Sequence, residues 1–468
     1  RVDRLARVLT EDMGLVPGNR VLLRGPNNPA MAAALLATIK AGLVAVPTMP
    51  LLRAAELKPI LDKAQVSAAL CDARLRDELE ACMRPGPMHC PTLAQVRYFN
   101  DEGSESLESL ARAKSASFAP CDTAADDVCL IAFTSGTTGS PKGCMHFHRD
   151  VLAMCDLFPR SILDMRPDDV VCGTPPLAFT FGLGGMLCFP LRAGASTVLA
   201  EKLTPAGLLD IIQSARATIV FTAPTFYRQM AALAESYDVS SLRHTVSAGE
   251  ALPDATRQLW KQATGIEMTD GIGSTEMIHI FISSAGDQVR RGAIGKVVPG
   301  YEVCIVDESM RSLPPGTVGR LAVRGPTGCK YLADERQANV VRNGWNLTGD
   351  SFLMDEDGYL YYQARTDDMI ISAGYNIAGP EVEGALLQHE AVAECGVVGM
   401  PDEERGQVVA AFVVLRPGFE PGDELVKTLQ EHVKQTIAPY KYPRVIRFVA
   451  ALPRTETGKL KRFALRSL

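Results

Sequence analysis

Aromatic residues make up only 6% of this chain of 468 amino acids, and no block of lysines or arginines occurs along it. With a net charge of −6, these shortages disfavour a nucleic-acid partner or an anionic membrane surface. The C-x-x-C pair is absent too, and no Cys/His cluster has zinc spacing, so the twelve scattered cysteines fit reduced thiols in a cytoplasm. There is no internal repeat and no low-complexity tract. The one run long enough to cross a bilayer, Val170 to Leu191, is 22 residues without a charge. It holds Pro175-Pro176, Pro190 and four glycines, which would leave amides unpaired in lipid. A buried strand, loop and helix lining a pocket is the expectation instead. The chain opens at Arg1 without methionine, with Val2, Leu5, Val8 and Leu9 at helical spacing and no capping residue before them. It is expected to start inside a helix with an N-terminal segment missing, so the lack of a signal peptide says little about location.

What is present suits a large globular enzyme: 47% hydrophobic and 22% charged residues, with length for more than one domain. Short β-rich runs alternate with helical stretches: Val21-Leu23, Pro29 to Ala41, Leu43 to Val46, Ala54 to Ala64, Val66 to Leu70. The rhythm resumes at Thr197 to Leu199, Leu203 to Ala215, Thr218 to Phe221 and Thr245 to Ser247. This is the βαβ pattern of mostly parallel sheets. From about Gly295, Pro/Gly-punctuated strands (Tyr301 to Val306, Gly319 to Val323) suggest a small antiparallel unit. Beyond Asp367 a compact α+β segment follows, with helices at Pro380 to Gln388 and Asp423 to Ile437. The fold class expected is therefore α/β: a large N-terminal domain over 1–366 and a small C-terminal α+β domain over 367–468.

The most informative stretch is Thr134-Ser-Gly-Thr-Thr-Gly-Ser-Pro-Lys-Gly143, directly after the apolar run Val128 to Phe133. Glycines let backbone N–H groups converge on oxygens, and hydroxyls and an ammonium add matched donors, so the loop reads as a phosphate cradle at a sheet end. The Walker pattern fails, because Gly136 is followed five residues later by Pro141, and Lys142 by Gly143. The string resembles the signature loop of the adenylate-forming superfamily, which contains acyl- and aryl-CoA synthetases, luciferases and peptide-synthetase adenylation domains. The resemblance implies that Thr134, Ser135, Gly136, Thr137, Thr138, Gly139 and Lys142 hold the β- and γ-phosphates of ATP.

Further motifs match that family in order. Joining AMP to a carboxylate brings two anions together, so charge neutralisation and orientation should carry catalysis, with Mg²⁺ on a hard oxygen ligand. Asp270-Gly-Ile-Gly-Ser-Thr-Glu276 offers that ligand. By resemblance, Thr275 touches the α-phosphate, Glu276 binds Mg²⁺, and Asp270, Gly271, Ile272 and Gly273 lie along the nucleotide. Taken alone, a Thr-Glu pair after glycine is a helix cap. Many relatives carry an aromatic residue at the place of Ile272, which makes nucleotide preference less certain. Ser247-Ala-Gly-Glu-Ala-Leu-Pro253 is similar to the second adenine-side loop, with Gly249, Glu250 and Ala251 against the base or the acyl pocket, though it is also a common strand-to-helix turn. Thr348-Gly-Asp350 matches the ribose-binding aspartate, and Arg365 adds a ribose or phosphate contact.

Asp367 falls at the family's hinge, about which a mobile small domain rotates between two half-reactions. Lys459, in Pro453-Arg-Thr-Glu-Thr-Gly-Lys459, stands 92 residues later and matches the lysine that bridges carboxylate and α-phosphate. Otherwise it would be a solvated charge in a basic tail. Ile371-Ser-Ala-Gly-Tyr-Asn376 resembles the segment flanking the pantetheine tunnel, giving Ser372, Gly374 and Tyr375 for CoA. The run Pro175 to Gly185 should line the acyl pocket, with Phe179, Thr180, Phe181 and Gly182 joined by Ala248, Gly249, Gly273 and His279. Walls of Phe and Gly favour a planar apolar ring.

With Met145-His-Phe-His-Arg-Asp150, Thr222-Ala-Pro-Thr225 and Thr275-Glu-Met-Ile-His279, the chain is similar to benzoate-type CoA ligases, and most to those acting on 2-aminobenzoate (anthranilate). His279 would hold a ring substituent or a water near the amino group, and His148 would cap or orient the helix after the loop. The alternative for each is a buried, hydrogen-bonded histidine. The expectation is an ATP- and Mg²⁺-dependent aryl-CoA ligase, monomeric or homodimeric, with a small arylcarboxylate and CoA as substrates. Transfer to a carrier-protein thiol and a non-catalytic nucleotide-binding relative stay open as alternatives.

Overall fold

A computed structural model describes residues 1–134, 141–365, 368–372, 375–402, 405–454 and 459–467. Six strands build the first sheet: β1 (Arg20–Arg24), β2 (Val44–Thr48), β3 (Ala68–Asp72), β4 (Gln95–Phe99), β5 (Val128–Thr134) and β6 (Lys142–Phe147). Their spatial order is β4-β3-β1-β2-β5-β6, parallel throughout except that β6 runs antiparallel to β5 at the edge. Val21, Leu22 and Leu23 are all fully buried, as expected when both faces of a parallel sheet are covered. The helix Pro29–Lys40 starts where it does because Asn28 accepts from the Met31 amide at 2.9 Å and Pro29 occupies the first turn.

The second sheet holds β7 (Val170–Gly173), β8 (Ser196–Thr197), β9 (Ile219–Thr222), β10 (His244–Ser247), β11 (Met268–Gly273), β12 (Ile280–Ser283) and β13 (Lys296–Val297). Strands β11-β10-β9-β7-β8 are parallel, and β12 and β13 continue the sheet antiparallel. One core joins the two sheets: Val21 and Leu23 of β1 share it with Ile219 and Phe221 of β9 and with Met186 and Phe189. A third, antiparallel sheet follows, with β14 (Glu302–Val306), β15 (Gly319–Arg324), β16 (Val341–Arg342), β17 (Trp345–Met354) and β18 (Leu360–Arg365).

The C-terminal part carries the hairpin β19 (Ile370–Ser372) and β20 (Tyr375–Ile377), then β21 (Val392–Asp402), β22 (Gly406–Leu415) and β23 (Val445–Phe448). Helices Gly379–Leu386 and Asp423–Thr436 cover this last sheet around Val382, Leu386, Leu429 and Val433. The fold is thus α/β, a large N-terminal part with mostly parallel sheets and a smaller C-terminal one. Among the described residues no helix is long and apolar enough to cross a membrane.

Several boundaries shift from the sequence expectation. The strand expected at 66–70 forms at 68–72, and the helix expected from Leu203 begins at Pro205, because the Thr204 side chain accepts from Gly207 N at 3.0 Å and proline follows it. A helix does begin at Val2, with Leu5 and Leu9 buried. The uncharged run 170–191 becomes β7, a loop and a helical stretch from Thr180 that passes through a π-helical turn, Gly184–Cys188. That stretch packs so closely that a methyl group at Gly182 would lie 2.1 Å from the Pro176 carbonyl oxygen.

Candidate active site

The C-terminal ends of parallel strands collect polar groups because main-chain pairing ends there and the next segment turns away. Thr134 ends β5 with its hydroxyl buried and unpartnered among the described residues. Its partner in register is Lys142, the first residue of β6, so the phosphate-loop motif closes a hairpin instead of opening a helix. Residues 135–140, which include Ser135, Gly136, Thr137, Thr138 and Gly139, lie outside the described residues. The helix His148–Asp156 starts only after β6, and Asp150, not His148, accepts from the Phe147 amide at its start, at 3.0 Å. Burial lowers the pKa of His148.

Ser247, the last residue of β10, stands in register with Asp270 of β11. Both are buried; Ser247 lies close enough to favour the charged form of the Asp270 carboxyl, yet neither Ser247 Oγ nor Asp270 Oδ1 reaches full hydrogen-bond geometry with a described residue. Unpaired polar atoms of this kind cost about 1–3 kcal/mol each, a penalty that an incoming polar ligand would relieve. Burial pushes the Asp270 carboxyl up to about 7. After β11 the chain makes turns through Thr275 and Glu276, so the helix-cap reading of that pair is set aside.

Glu276 sits at the centre of a charged cluster. Lys142 Nζ lies 3.8 Å from Glu276 Oε1, and the Tyr331 hydroxyl donates to the same oxygen at 2.6 Å. Thr275 is fixed from below, its carbonyl 2.8 Å from Nε2 of the fully buried His146. Among the described residues no three His, Cys, Asp or Glu side chains converge as a metal cage. One carboxylate beside a tyrosine hydroxyl is nonetheless a donor set that suits Mg²⁺ when substrate phosphates supply the other oxygens.

The β17–β18 hairpin places Asp350 opposite Arg365, with Arg365 Nη1 at 3.1 Å from Asp350 Oδ1 and at 3.1 Å from the Thr348 carbonyl. Gly349, at φ +78°, allows this approach, since a Cβ there would lie 2.8 Å from Arg365 Nη2. Burial raises the pKa of Asp350, and Arg365 opposes the shift. Gly249 turns at φ +91° between β10 and the helix Asp254–Thr264, with Ala248 buried and Ala251 exposed. Glu250 accepts from Thr225 Oγ1 at 2.8 Å and from Arg454 at 3.2 Å.

Lys459 reaches this turn from the C-terminal part: a Cβ built on Gly249 would be 3.9 Å from Lys459 Cε. The residue keeps solvent access as a whole, while protein atoms crowd its ammonium and lower its pKa. Glu250, Asp350 and Glu276 oppose that shift electrostatically, and Arg365 adds to it, so the lysine feels these four charged groups.

A cluster of aromatic rings surrounds His279. His279 is buried against Phe158, Phe181 and Phe189, with ring centroids 5.7, 5.7 and 4.5 Å away. Burial lowers its pKa to about 3, so the ring is neutral. Nε2 lies 3.3 Å from the Phe181 carbonyl oxygen, which makes Nε2–H the donor and leaves Nδ1 as an acceptor with no partner among the described residues. A methyl group at Gly184 would come within 2.4 Å of the His279 ring. Phe179 precedes the helical stretch as its N-cap, Thr180 and Gly182 are buried in it, and Gly273 is exposed beside the His279 carbonyl.

Sequence reasoning missed four residues here. Asn27 braces the loop before the helical stretch, its Nδ2 donating to the Pro175 carbonyl at 2.9 Å and its Oδ1 accepting from the Leu177 amide at 2.8 Å. Tyr331, His146 and Arg454 complete the set. Each acts across a long sequence separation, and only His146 and Arg454 stood inside a motif already noted. Ser372 is buried on the small part and accepts from Arg405 Nε at 3.2 Å. Tyr375 pairs with it in the β19–β20 register, while Gly374 and Asp367 lie outside the described residues.

The model of the AMP-binding enzyme family matches residues 1–331, and that of the AMP-binding enzyme C-terminal domain matches residues 381–459. The chain is 37% identical to a benzoate–CoA ligase of Thauera aromatica, over all of this chain and 89% of that protein. Among solved structures it superposes on the anthranilate CoA ligase AuaEII in complex with anthranoyl-AMP, with TM-score 0.93 and 34% identity, covering 100% of this chain and 91% of the other. A benzoate CoA ligase from Burkholderia xenovorans LB400 gives TM-score 0.89 and 31% identity, covering 99% and 93%.

Fold and site thus define an AMP-forming acid–thiol ligase, with ATP and CoA as substrates and Mg²⁺ as the usual ion. The chain belongs to the AMP-binding enzyme family, among the aryl-CoA ligases of the adenylate-forming superfamily.

Proposed function

We propose that this ligase prefers 2-aminobenzoate, activates it as aryl-AMP with release of pyrophosphate, and passes the aryl group to CoA. In the first step a carboxylate oxygen attacks the α-phosphorus as the bond to pyrophosphate breaks. In the second the CoA thiolate attacks the aryl carbonyl carbon and AMP leaves. Lys459 and Lys142 spread the developing negative charge, and Thr275 donates to the α-phosphate. Glu276 would hold Mg²⁺, which neutralises phosphate charge when bound. Asp350 accepts from the ribose hydroxyls, steadied by Arg365, and the turn 249–251 with residues 270–273 flanks the nucleotide. The small domain is taken to begin at Asp367 and to rotate there, bringing Ser372, Gly374 and Tyr375 to the pantetheine arm.

The single observation that carries the choice of acid is His279. A neutral imidazole whose Nε2–H faces the Phe181 carbonyl presents an acceptor with no partner among the described residues, set among aromatic rings. An ortho amino group supplies the N–H that this atom lacks, and benzoate supplies nothing. The bound anthranoyl-AMP in the similar AuaEII structure supports the same reading.

Pyrophosphate release across a panel of arylcarboxylates, with CoA alone as acceptor and mass detection of the thioester, tests it. The expected outcome is a kcat/KM for 2-aminobenzoate about tenfold above benzoate, a gap that His279→Leu closes. Preference for benzoate by the unaltered enzyme sinks the assignment of substrate. Adenylation without thioester formation transfers the acceptor role to a carrier-protein thiol.

A further inference from the structure

Arg454 and Leu460 face each other as an antiparallel bridge, and the Lys461 amide donates to the Pro453 carbonyl at 2.8 Å. Lys459 therefore stands one residue before the bridge that Arg454 forms with Leu460. The Arg454 guanidinium forks between two carboxylates. One branch reaches Glu394 Oε2 of β21, in its own part of the molecule, at 2.7 Å, and the other reaches Glu250 Oε1 of the large part at 3.2 Å. Glu250 is in turn held by Thr225, and it neighbours Gly249, the residue over which Lys459 lies. The two contacts fall on one turn: Arg454 grips its acid while Lys459 crosses its glycine.

The same interface carries an opposing element. Arg228, on the helix Pro224–Ala231 that begins beside Thr225, has both terminal guanidinium nitrogens buried and unpartnered among the described residues. Arg416 of the small part disfavours its charge further, while Glu394 of the same part favours it. The Arg454–Glu250 attraction thus crosses an interface that also buries a cation with no hydrogen-bond partner among the described residues.

We infer that Arg454 is a positioning residue for adenylation: its pairing with Glu250 clasps the small part against the large one and holds Lys459 over the nucleotide site, and the clasp opens for the thiol step. This rests on the two-step reading above and on Lys459 as the adenylating lysine. The three members of the fork are 21–34% exposed, so the bond is partly desolvated and specific in geometry without being a permanent lock.

The test separates the half-reactions in the full chain. Aryl-dependent exchange of labelled pyrophosphate into ATP reports adenylation, and supplied aryl-AMP with CoA reports thioester formation. Arg454→Gln is expected to slow exchange about tenfold, the worth of one charge-assisted hydrogen bond, and to leave thioester formation within about twofold. Arg454→Lys, which keeps the charge, is expected to recover most of the exchange rate. An equal fall in both half-reactions, no change in either, or an Arg454→Lys enzyme as slow as Arg454→Gln overturns the inference. Lys459→Ala is the control for the reading beneath it: if that variant exchanges pyrophosphate normally, the assignment of the lysine has failed, whatever Arg454 does.

Discussion

Asp270 and His279 have pKa values displaced in opposite directions by the same cause, burial, and the consequences for stability differ in sign. The Asp270 carboxyl is raised from 3.8 to about 7, so the folded protein binds more protons there than the unfolded chain between those values. Its contribution is fully present below pH 3.8 and is lost as pH rises through 7. His279 is lowered from 6.5 to about 3, and its contribution is present above pH 6.5 and lost as pH falls toward 3. Asp270→Asn mimics the protonated carboxyl. Its melting temperature relative to the unaltered protein should therefore climb between pH 5 and pH 8, while nucleotide binding weakens. A constant difference across that range, read by calorimetry, contradicts the burial account.

The decisive element is the helical stretch from Thr180 with its π-helical turn, Gly184–Cys188. A π-helical turn widens the helix locally, and such turns concentrate at functional sites. Glycine at 184 lets the widened turn close onto the His279 ring, where a Cβ would lie at 2.4 Å. Gly184→Ala must therefore push either the turn or the imidazole. Overpacking of this kind costs about 1–3 kcal/mol. The expected readout is a KM for the arylcarboxylate raised about tenfold with the KM for ATP unchanged, because Asp350 and Lys142 belong to other elements. Equal rises in both constants would point to general misfolding instead.

For the molecule as a whole, the parallel sheets bury much of the thiol chemistry that the sequence offers. Burial pushes Cys71, Cys90, Cys129 and Cys172 up to about 12, which leaves these thiols protonated and unreactive at neutral pH. The two-step reaction needs no enzyme-bound acyl group. Treatment with iodoacetamide at pH 7 should accordingly leave most of the thioester-forming activity intact. Activity lost in step with modification of a single cysteine would require a thiol in the reaction and a different mechanism.

Much of this was readable before any coordinates. Val21-Leu-Leu23 and Val128 to Phe133 announce doubly covered strands because a parallel strand has no wet face, and local sequence alone carries that signal. The order of the motifs at 134–143, 270–276, 348–350 and 453–459 likewise depends only on the chain. What local sequence could not contain were contacts closed by folding: Tyr331 on Glu276, Asn27 on the Pro175 loop, Asp350 facing Arg365, and Arg454 forked between Glu250 and Glu394. Strand period and glycine placement are properties of neighbours along the backbone, so the chain itself determined the sheets, and the resemblance of its motifs to the adenylate-forming superfamily carried the class of chemistry. Which acceptor stands unpaired beside the ring, and which arginine holds the lysine in place, depend on side chains far apart in sequence, and only packing decided them.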